Sequence, residues 1–279
     1  MLRRPETTKY LSIGMGLVLC LVFSQTAHSN IIIQENFDGA AGVDLGASAN
    51  APWITAFSRQ NGGSDNGSAS IFGADGSIDK VGANSTHDAG ALLALPGSGS
   101  LLANSVYTLS ATITNNNSNW TAVGFASSTA QLDGVNGRHS NGNPGVFGGY
   151  AWGLVRNNAG NDQEIFGGAG TGSNFLGGDV VDPTAAIDFT VVLDTSDTSA
   201  LTAEYFLNGA SQGVQTLAAS AFADIGFVGI SSDGGNAADN PNASSISNFS
   251  LAVKTIPEPS SLSLLCLSGL AMLSRRRRV

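Results

Sequence analysis

Residues 107–114 read YTLSATIT, and this stretch decides the fold class. Apolar residues at positions 107, 109, 111 and 113 alternate with threonine or serine at the positions between them. A period of two residues is typical of a half-buried β-strand, because successive side chains of a strand point to opposite sides of the sheet. The stretch therefore predicts a strand with an apolar face and a hydroxyl-bearing face.

The same alternation recurs in residues 189–193, 201–207 and 249–253. Asn208-Gly209 follows the second of these, and both residue types tolerate a positive φ, which predicts a two-residue type I′ hairpin with residues 214–217 as the returning strand. Further strands are expected at 31–37, 53–58, 69–72, 120–126, 146–155 and 225–230. Glycine-rich connections are expected at 61–68, 133–145, 157–174 and 232–244.

About ten to thirteen short strands with no convincing helical stripe between them favour an all-β fold of two packed antiparallel sheets, a β-sandwich. The order of several stretches also resembles the concanavalin-like jelly roll of lectins, laminin-G-like domains and glucanases. These stretches are IQENFD at 33–38, DFTVVLD at 188–194, LTAEYFLNG at 201–209, IGFVGI at 225–230 and ISNFSL at 246–251. The resemblance implies a jelly-roll sandwich.

The N-terminus carries the features of a secretory signal. Arg3, Arg4 and Lys9 precede an apolar run from Leu11 to Phe23, for which a signal helix is expected. Small residues at Ala27 and Ser29 predict cleavage by signal peptidase before Asn30. Residues 1–29 are therefore interpreted as a signal peptide.

The C-terminus carries a second address. Residues 260–274 are uncharged and mostly apolar, and as a helix they would reach about 22 Å, a short transmembrane segment. Four arginines follow and would stay on the cytoplasmic side as a membrane stop and orientation signal: Arg275, Arg276, Arg277 and Arg278. Everything before the apolar run would then lie outside the cytoplasm.

Pro257-Glu258-Pro259, the apolar run and the arginines, in this order, closely resemble the PEP-CTERM sorting signal of bacteria that make extracellular polysaccharide. The resemblance implies a membrane-anchored precursor, recognised by an exosortase that cuts near Pro257 and releases or transfers the exported part to the outside or the cell surface. The alternative is an ordinary C-terminal anchor. The expected organisation is a signal peptide at 1–29, a β-sandwich module at 30–254 and a sorting signal at 255–279.

The composition of the module excludes several classes of function. Both cysteines, Cys20 and Cys266, lie in the terminal signals, so the module has neither a disulfide nor a cysteine metal site. Leaving out the seven basic and two acidic residues of the ends, the module keeps 5 basic and 19 acidic residues, a net charge of −14. Such a surface repels nucleic acid and acidic polysaccharide unless divalent cations bridge the two.

The residues give little support to catalysis. The module has three glutamates, Glu35, Glu164 and Glu204, and lacks the E-x-D-x-x-E strand of jelly-roll glycosidases. One G-x-S-x-G match, at 209–213, falls on the expected hairpin rather than on the strand-to-helix turn that a nucleophile elbow needs. We therefore expect no enzyme activity.

Metal binding stays open. Aspartate-rich loops at 65–68, 75–79 and 233–236 supply oxygen ligands for weak Ca²⁺ binding, but these residues equally suit turns. No resident cofactor is expected.

The aromatic pair Tyr150 and Trp152 supplies the candidate carbohydrate contacts, because glycines flank it and leave room for a ligand. The alternative is that both residues belong to a core face. The sequence thus predicts an exported protein with a binding or structural role in an extracellular polysaccharide (biofilm) matrix. The rival hypothesis is a carbohydrate-active enzyme, a glycoside hydrolase or lyase, on the same fold.

Overall fold

A computed structural model describes residues 28–40, 45, 53–57, 70–72, 76, 78–80, 88–115, 120–127, 150–157, 163–169, 172–178, 185–233 and 244–257. The chain divides into two compact units. One unit comprises Ser29–Lys254, and the other comprises the two ends, Met1–His28 and Thr255–Val279.

The described chain consists mostly of strands. In chain order they are β1 (Ser29–Glu35), β2 (Ile54–Phe57), β3 (Ser70–Phe72), β4 (Ile78–Lys80), β5 (Asp88–Ala94), β6 (Ser105–Asn115), β7 (Trp120–Ala126), β8 (Trp152–Asn157), β9 (Gln163–Ala169), β10 (Gly172–Gly178), β11 (Ile187–Asp194), β12 (Thr202–Leu207), β13 (Ala210–Thr216), β14 (Phe227–Asp233) and β15 (Ser244–Thr255). One short helix, α1 (Ala221–Asp224), precedes β14.

The strands form two large antiparallel sheets, which confirms the predicted β-sandwich. The six-stranded sheet has the order β1-β15-β6-β11-β12-β13, and the seven-stranded sheet has the order β10-β9-β8-β7-β14-β5-β2. Strands β3 and β4 form a separate two-stranded sheet. In the six-stranded sheet the last strand, β15, lies between the first strand and β6, so this sheet is complete only when both ends of the module are in place.

The core lies between the two large sheets and follows the alternation of the sequence. On β6 the four apolar residues of YTLSATIT are buried, whereas the threonines and the serine between them are half-exposed. Strand β11 behaves in the same way, with Phe189 among its buried residues. Each fully buried Leu, Ile or Phe side chain contributes about 1.5–3 kcal/mol relative to an exposed one.

The hairpin prediction is confirmed. Asn208 has a φ of 47° and Gly209 a φ of 80°, and the two residues join β12 to β13. A turn with two positive φ values matches the right-handed twist of the paired strands. The returning strand begins at Ala210, four residues before its predicted start.

Parts of the strand prediction are wrong. The expected connection at 157–174 contains β9 and the first three residues of β10, and these two strands pair with each other as a hairpin. Their sequences, QEIFGGA and GSNFLGG, hold few large apolar residues, so they lack the alternation that marks a strand. Strand β5 was not expected either, because Leu92 and Leu93 are buried on opposite faces and the pattern does not alternate.

The expected signal helix and the expected transmembrane helix lie outside the described residues. In the described part of the chain, no helix is long and apolar enough to cross a membrane.

Candidate functional site

The outward face of the six-stranded sheet carries hydroxyl groups from two neighbouring strands. Ser110 and Thr112 of β6 lie on it, opposite Thr190 and Asp188 of β11. Asp188 is exposed and the other three side chains are half-exposed. Since their apolar neighbours face the core, these polar groups are directed to solvent by the period of the strands.

A residue of β15 with a positive φ adds an amide to this face. Ile246 and Phe249 are both buried although they are three residues apart, and Asn248 between them has a φ of 53°. A residue in the left-handed region locally breaks the alternation of a strand and re-aims its side chain. The Asn248 Nδ2 thereby donates a hydrogen bond to Thr112 Oγ1 at 3.3 Å.

The polar groups are linked to one another. Thr112 Oγ1 donates to Asp188 Oδ1 at 2.8 Å, so Asn248, Thr112 and Asp188 form a chain of donors and acceptors. One row further along the strands, the hydroxyls of Ser110 and Thr190 share a hydrogen bond of 2.9 Å. These contacts hold the side chains in defined positions before any ligand arrives.

The β12–β13 turn fixes the backbone of Asp188. The Asp188 N–H donates to Asn208 Oδ1 at 2.9 Å, and the Asn208 N–H donates to the Asp188 carbonyl oxygen at 2.8 Å. Asn208 thus has two roles, since it supplies both the positive φ of the turn and a side-chain acceptor. The hairpin predicted from the sequence therefore holds Asp188, which carries the carboxylate of the Asn248–Thr112–Asp188 chain, in place.

Together these groups line an open groove of about 350 Å³. Its lining residues are Ser110, Ala111, Thr112, Asp188, Phe189, Thr190 and Asn248. The half-buried Phe206 of β12 is paired with Thr190 and adds an aromatic ring beside the groove. Hydroxyl, amide and carboxylate groups next to an aromatic ring can bind a polar ligand that also has apolar surface, as a sugar does.

The structure buries the predicted contact residue Trp152 completely. Its neighbours in the chain face the core: Ala151 belongs to the core cluster, and Gly153 lies against Phe189. Trp152 itself lies on the opposite, outward face of the seven-stranded sheet, paired with Gly124 and Gly168. The ring is therefore buried, as the core-face alternative requires, but it does not lie between the two sheets. In this conformation it offers no surface to a sugar.

Glycines make room for the Trp152 side chain. A Cβ on Gly124 would lie 2.5 Å from the Trp152 Cβ, closer than real Cβ atoms approach. Among the described residues, the indole Nε1 of Trp152 is a buried polar atom without a hydrogen-bond partner.

Tyr150 lies apart from Trp152 in its contacts. It is half-exposed and packs against the inter-sheet core, because β8 begins only at Trp152 and its alternation does not extend back to Tyr150. The Tyr150 hydroxyl donates to Asp224 Oδ2 at 2.5 Å. Burial is the larger cause and this hydrogen bond the next in raising the pKa of Tyr150. The same bond is the larger cause, and a hydrogen bond from Ser220 the next, in lowering the pKa of Asp224. Tyr150 and Trp152 therefore do not lie together on one strand face.

Most of the sorting signal lies outside the described residues. Pro257 is exposed at the end of the described chain, whereas Glu258, Pro259 and the four arginines 275–278 are not described. Within the described part, no three His, Cys, Asp or Glu residues are grouped so that they could hold a metal ion. Of the loops considered for calcium, 65–68 is not described and the other two are described only in part.

Sequence reasoning missed the groove. Its clearest signal was the hydroxyl-bearing face of residues 107–114, which by itself is typical of any half-exposed strand. The partners of that face, Asp188 and Asn248, are 76 and 136 residues away from Thr112 in the chain. Only the order of the strands brings them together.

Comparison with known proteins identifies the C-terminal address. Residues 255–278 match the model of the PEP-CTERM protein-sorting motif, which confirms the resemblance found in the sequence. No curated protein matches the chain.

Three solved structures show weak similarity to the fold. Lectin II from Ulex europaeus is 15% identical, with 81% of this chain and 99% of that chain covered and a TM-score of 0.41. The alginate lyase Aly36B is 12% identical, with 82% and 97% covered and a TM-score of 0.41. The CBM2 module of the evolved Dit of Lactobacillus casei BL23 phage J-1 is 13% identical, with 83% and 98% covered and a TM-score of 0.41. The chain therefore carries a PEP-CTERM sorting motif, which implies an exported, membrane-anchored precursor processed by an exosortase, behind a β-sandwich module.

Proposed function

We propose that the β-sandwich module is a non-catalytic carbohydrate-binding domain that the sorting motif places at the cell surface or in the extracellular matrix. The observation that carries this proposal is the open groove on the six-stranded sheet. Its carboxylate, amide and hydroxyl groups are oriented by hydrogen bonds to one another, and the ring of Phe206 lies beside them.

The chemistry of the groove suits a sugar. Sugar hydroxyls donate and accept hydrogen bonds, and the groove offers acceptors on Asp188 and donors or acceptors on its serine and threonines. Binding in an open groove costs little desolvation of the polar groups, so such a site suits recognition of a polymer passing through it. Side chains that are already held in place lose less entropy on binding than free ones.

The groove lining argues against glycoside hydrolysis there. Both retaining and inverting glycosidases use two carboxyl groups about 5–9.5 Å apart. Asp188 is the one carboxylate among the described lining residues. This supports a binding role for the groove, with the ligand leaving unchanged.

The test is binding by the full-length chain in detergent to a panel of immobilised neutral, amine-bearing and acidic polysaccharides. We expect saturable binding to at least one of them, weakened by Asn248→Ala and unaffected by Gln34→Ala. Gln34 is an exposed side chain of β1 that donates a hydrogen bond to Asn36 Oδ1, so its loss is a control for surface changes in general. Release of new reducing ends from the bound polymer would contradict a non-catalytic role, and absence of binding to every polymer would contradict the function.

A further inference from the structure

We infer that the groove on the six-stranded sheet binds an amine-bearing polysaccharide, a hexosamine polymer with free ammonium groups, and rejects polyuronates. This inference deepens the proposed function and rests on it. It follows from the charges in and around the groove, in three steps.

The first step is the charge of the lining. Among its described residues, Asp188 is charged and none is Lys, Arg or His. Asp188 is exposed, and Thr112 engages its Oδ1, whereas its Oδ2 accepts no hydrogen bond from the described residues. A held carboxylate with one oxygen directed to solvent is a ready partner for an ammonium group, and charge-assisted hydrogen bonds of this kind are stronger than neutral ones.

The second step is the surrounding field. On the same outward face, Glu204 of β12 adds a second carboxylate, opposite Val192, which is four residues along β11 from Asp188. The basic residue of β15, Lys254, lies six residues from Asn248 along that strand, a distance of about 20 Å at the rise of a β-strand. At that distance its charge is largely screened in physiological salt, so it cannot offset the carboxylates at the groove. With a module net charge of −14, the potential at the groove attracts cations and repels a uronate chain.

The third step is the repeat of the ligand. A single exposed ion pair contributes little to affinity because water screens it. A polymer presents the same amino group at every residue or every second residue, so a neighbouring unit replaces one that dissociates and the apparent affinity rises. The hydroxyl groups of Ser110, Thr112 and Thr190 would then position the ring that carries the amino group.

The experiment compares four polymers with the full-length chain in detergent: a poly-glucosamine with free amines, its fully N-acetylated counterpart, a polyuronate, and poly-lysine. We expect the free-amine polymer to bind at least about fivefold more tightly than its N-acetylated counterpart, the ratio that an exposed charge pair can supply, and the polyuronate not to bind.

Asp188→Asn should remove that preference. Asp194→Asn is the matched control, because it makes the same change of charge on the same strand and the same face, six residues away. We expect it to keep the preference within about twofold, since a distant exposed charge contributes little through salt. Thermal melts of both variants would show that each is folded.

Several outcomes would overturn the inference. Equal losses of affinity for the free-amine polymer in Asp188→Asn and Asp194→Asn would mean that a polycation is attracted to an acidic protein in general. The same would follow if poly-lysine bound as tightly as poly-glucosamine and its binding also depended on Asp188. Equal, Asn248-dependent binding of the amine and N-acetyl polymers would remove the inference and leave the proposed function intact. Binding of no polysaccharide at all would remove both.

Discussion

The ring of Phe189 in β11 lies against the backbone of Gly153 in β8, across the core between the two sheets. A Cβ built on Gly153 would lie 1.7 Å from the Phe189 Cζ and 2.0 Å from its Cε1. Phe189 is fully buried, so its ring has no solvent-filled space into which it could move. The two sheets approach each other at this point because one of them has no side chain there.

Gly153→Ala should therefore destabilise the module strongly. Inserting a methyl group into a packed core costs about 1–3 kcal/mol, and we expect the upper end because the overlap is with a fully buried ring. Urea denaturation of the purified chain would measure the change. Gly97→Ala is the control, since nothing lies within 4 Å of a Cβ there and only its φ of 80° opposes alanine. A loss at position 153 no larger than the loss at Gly97, where only backbone strain acts, would contradict a steric conflict with the Phe189 ring. Adding Phe189→Leu to Gly153→Ala should recover part of the loss.

Glu35 should be a stability determinant of the β1 end. Its side chain is 1% exposed, its Oε1 accepts from the Phe37 N–H at 2.9 Å and its Oε2 accepts from Trp53 Nε1 at 3.2 Å. Glu35→Gln replaces one acceptor oxygen with an NH₂ group, so one of the two donors loses its acceptor. We expect a loss of about 1–3 kcal/mol in denaturant unfolding. Gln34→Ala, next to it but exposed, should stay within about 0.5 kcal/mol, and an equally small effect of Glu35→Gln would contradict the role of these two bonds.

Thr112 should matter for binding more than for folding. Thr112→Val keeps the shape of the side chain but removes the hydroxyl that accepts from Asn248 and donates to Asp188. Loss of this link frees the Asp188 carboxylate, so we expect sugar binding to weaken about threefold to tenfold, as for one lost hydrogen bond. Thr108→Val is the matched control, on the same strand and the same face but outside the groove lining. The hypothesis fails if the two variants bind equally well while both remain folded.

Alkaline pH should destabilise the module. Burial raises the pKa of Tyr107, Tyr150 and Tyr205 above the ordinary value of 10.0. The rise is largest for the fully buried Tyr205, whose hydrogen bond with the Trp152 backbone lowers its pKa by a smaller amount. The folded state then keeps the phenol proton at a pH where the unfolded chain has released it. The stabilisation is complete below pH 10.0 and is lost as the pH rises above that value.

A spectrophotometric titration of tyrosinate, together with melts at several pH values, would check this. We expect Tyr205 to ionise only as the module unfolds. In Tyr205→Phe, stability at neutral pH should be lower, because the Trp152 backbone loses its partner, but its decrease above pH 10.0 should be shallower. A Tyr205 that titrates reversibly near its ordinary pKa in the folded protein would contradict the prediction.

Processing should remove both ends of the chain. Mass spectrometry of the exported protein should show a start near Asn30 and an end near Pro257. Replacing Pro257, Glu258 and Pro259 with alanine should leave the precursor in the membrane, because the sorting motif at 255–278 is then incomplete. Intact Arg275–Arg278 on all of the mature protein would count against sorting by cleavage.

The module begins and ends on neighbouring strands of one sheet. Strand β1 begins at Ser29, which pairs with Lys254 of β15, so the strand that starts the module and the strand that ends it are hydrogen-bonded neighbours. Strand β1 lies at the edge of its sheet, and its neighbour there is β15, the last strand of the module. Since β15 is exported last, we expect signal peptidase to cut the chain before β1 is paired. Pulse-labelling during export would show the N-terminal cut preceding protease resistance of the module, and the reverse order would contradict this expectation.

Local pattern by itself predicted most of the described strands and, for β6, β11 and β12, which face of the strand is buried. The alternation of residues 107–114, the Asn208-Gly209 turn and the sorting motif each depend on residues that are neighbours in the chain, so their physical cause is readable from the sequence. Strands β9 and β10 were not predicted, because glycine-rich strands are held by backbone pairing and show no alternation of apolar and polar side chains.

Tertiary structure alone decided where the polar groups meet. From the sequence Trp152 is either a sugar contact or a core-face residue, and the fold buries it on the outward face of the seven-stranded sheet. Thr112, Asp188 and Asn248 look unremarkable in their separate strands, yet the order β15-β6-β11 places them in one groove. Side-chain period follows from local backbone geometry, whereas the neighbours of a strand follow from non-local pairing across the whole chain, and a binding site needs both.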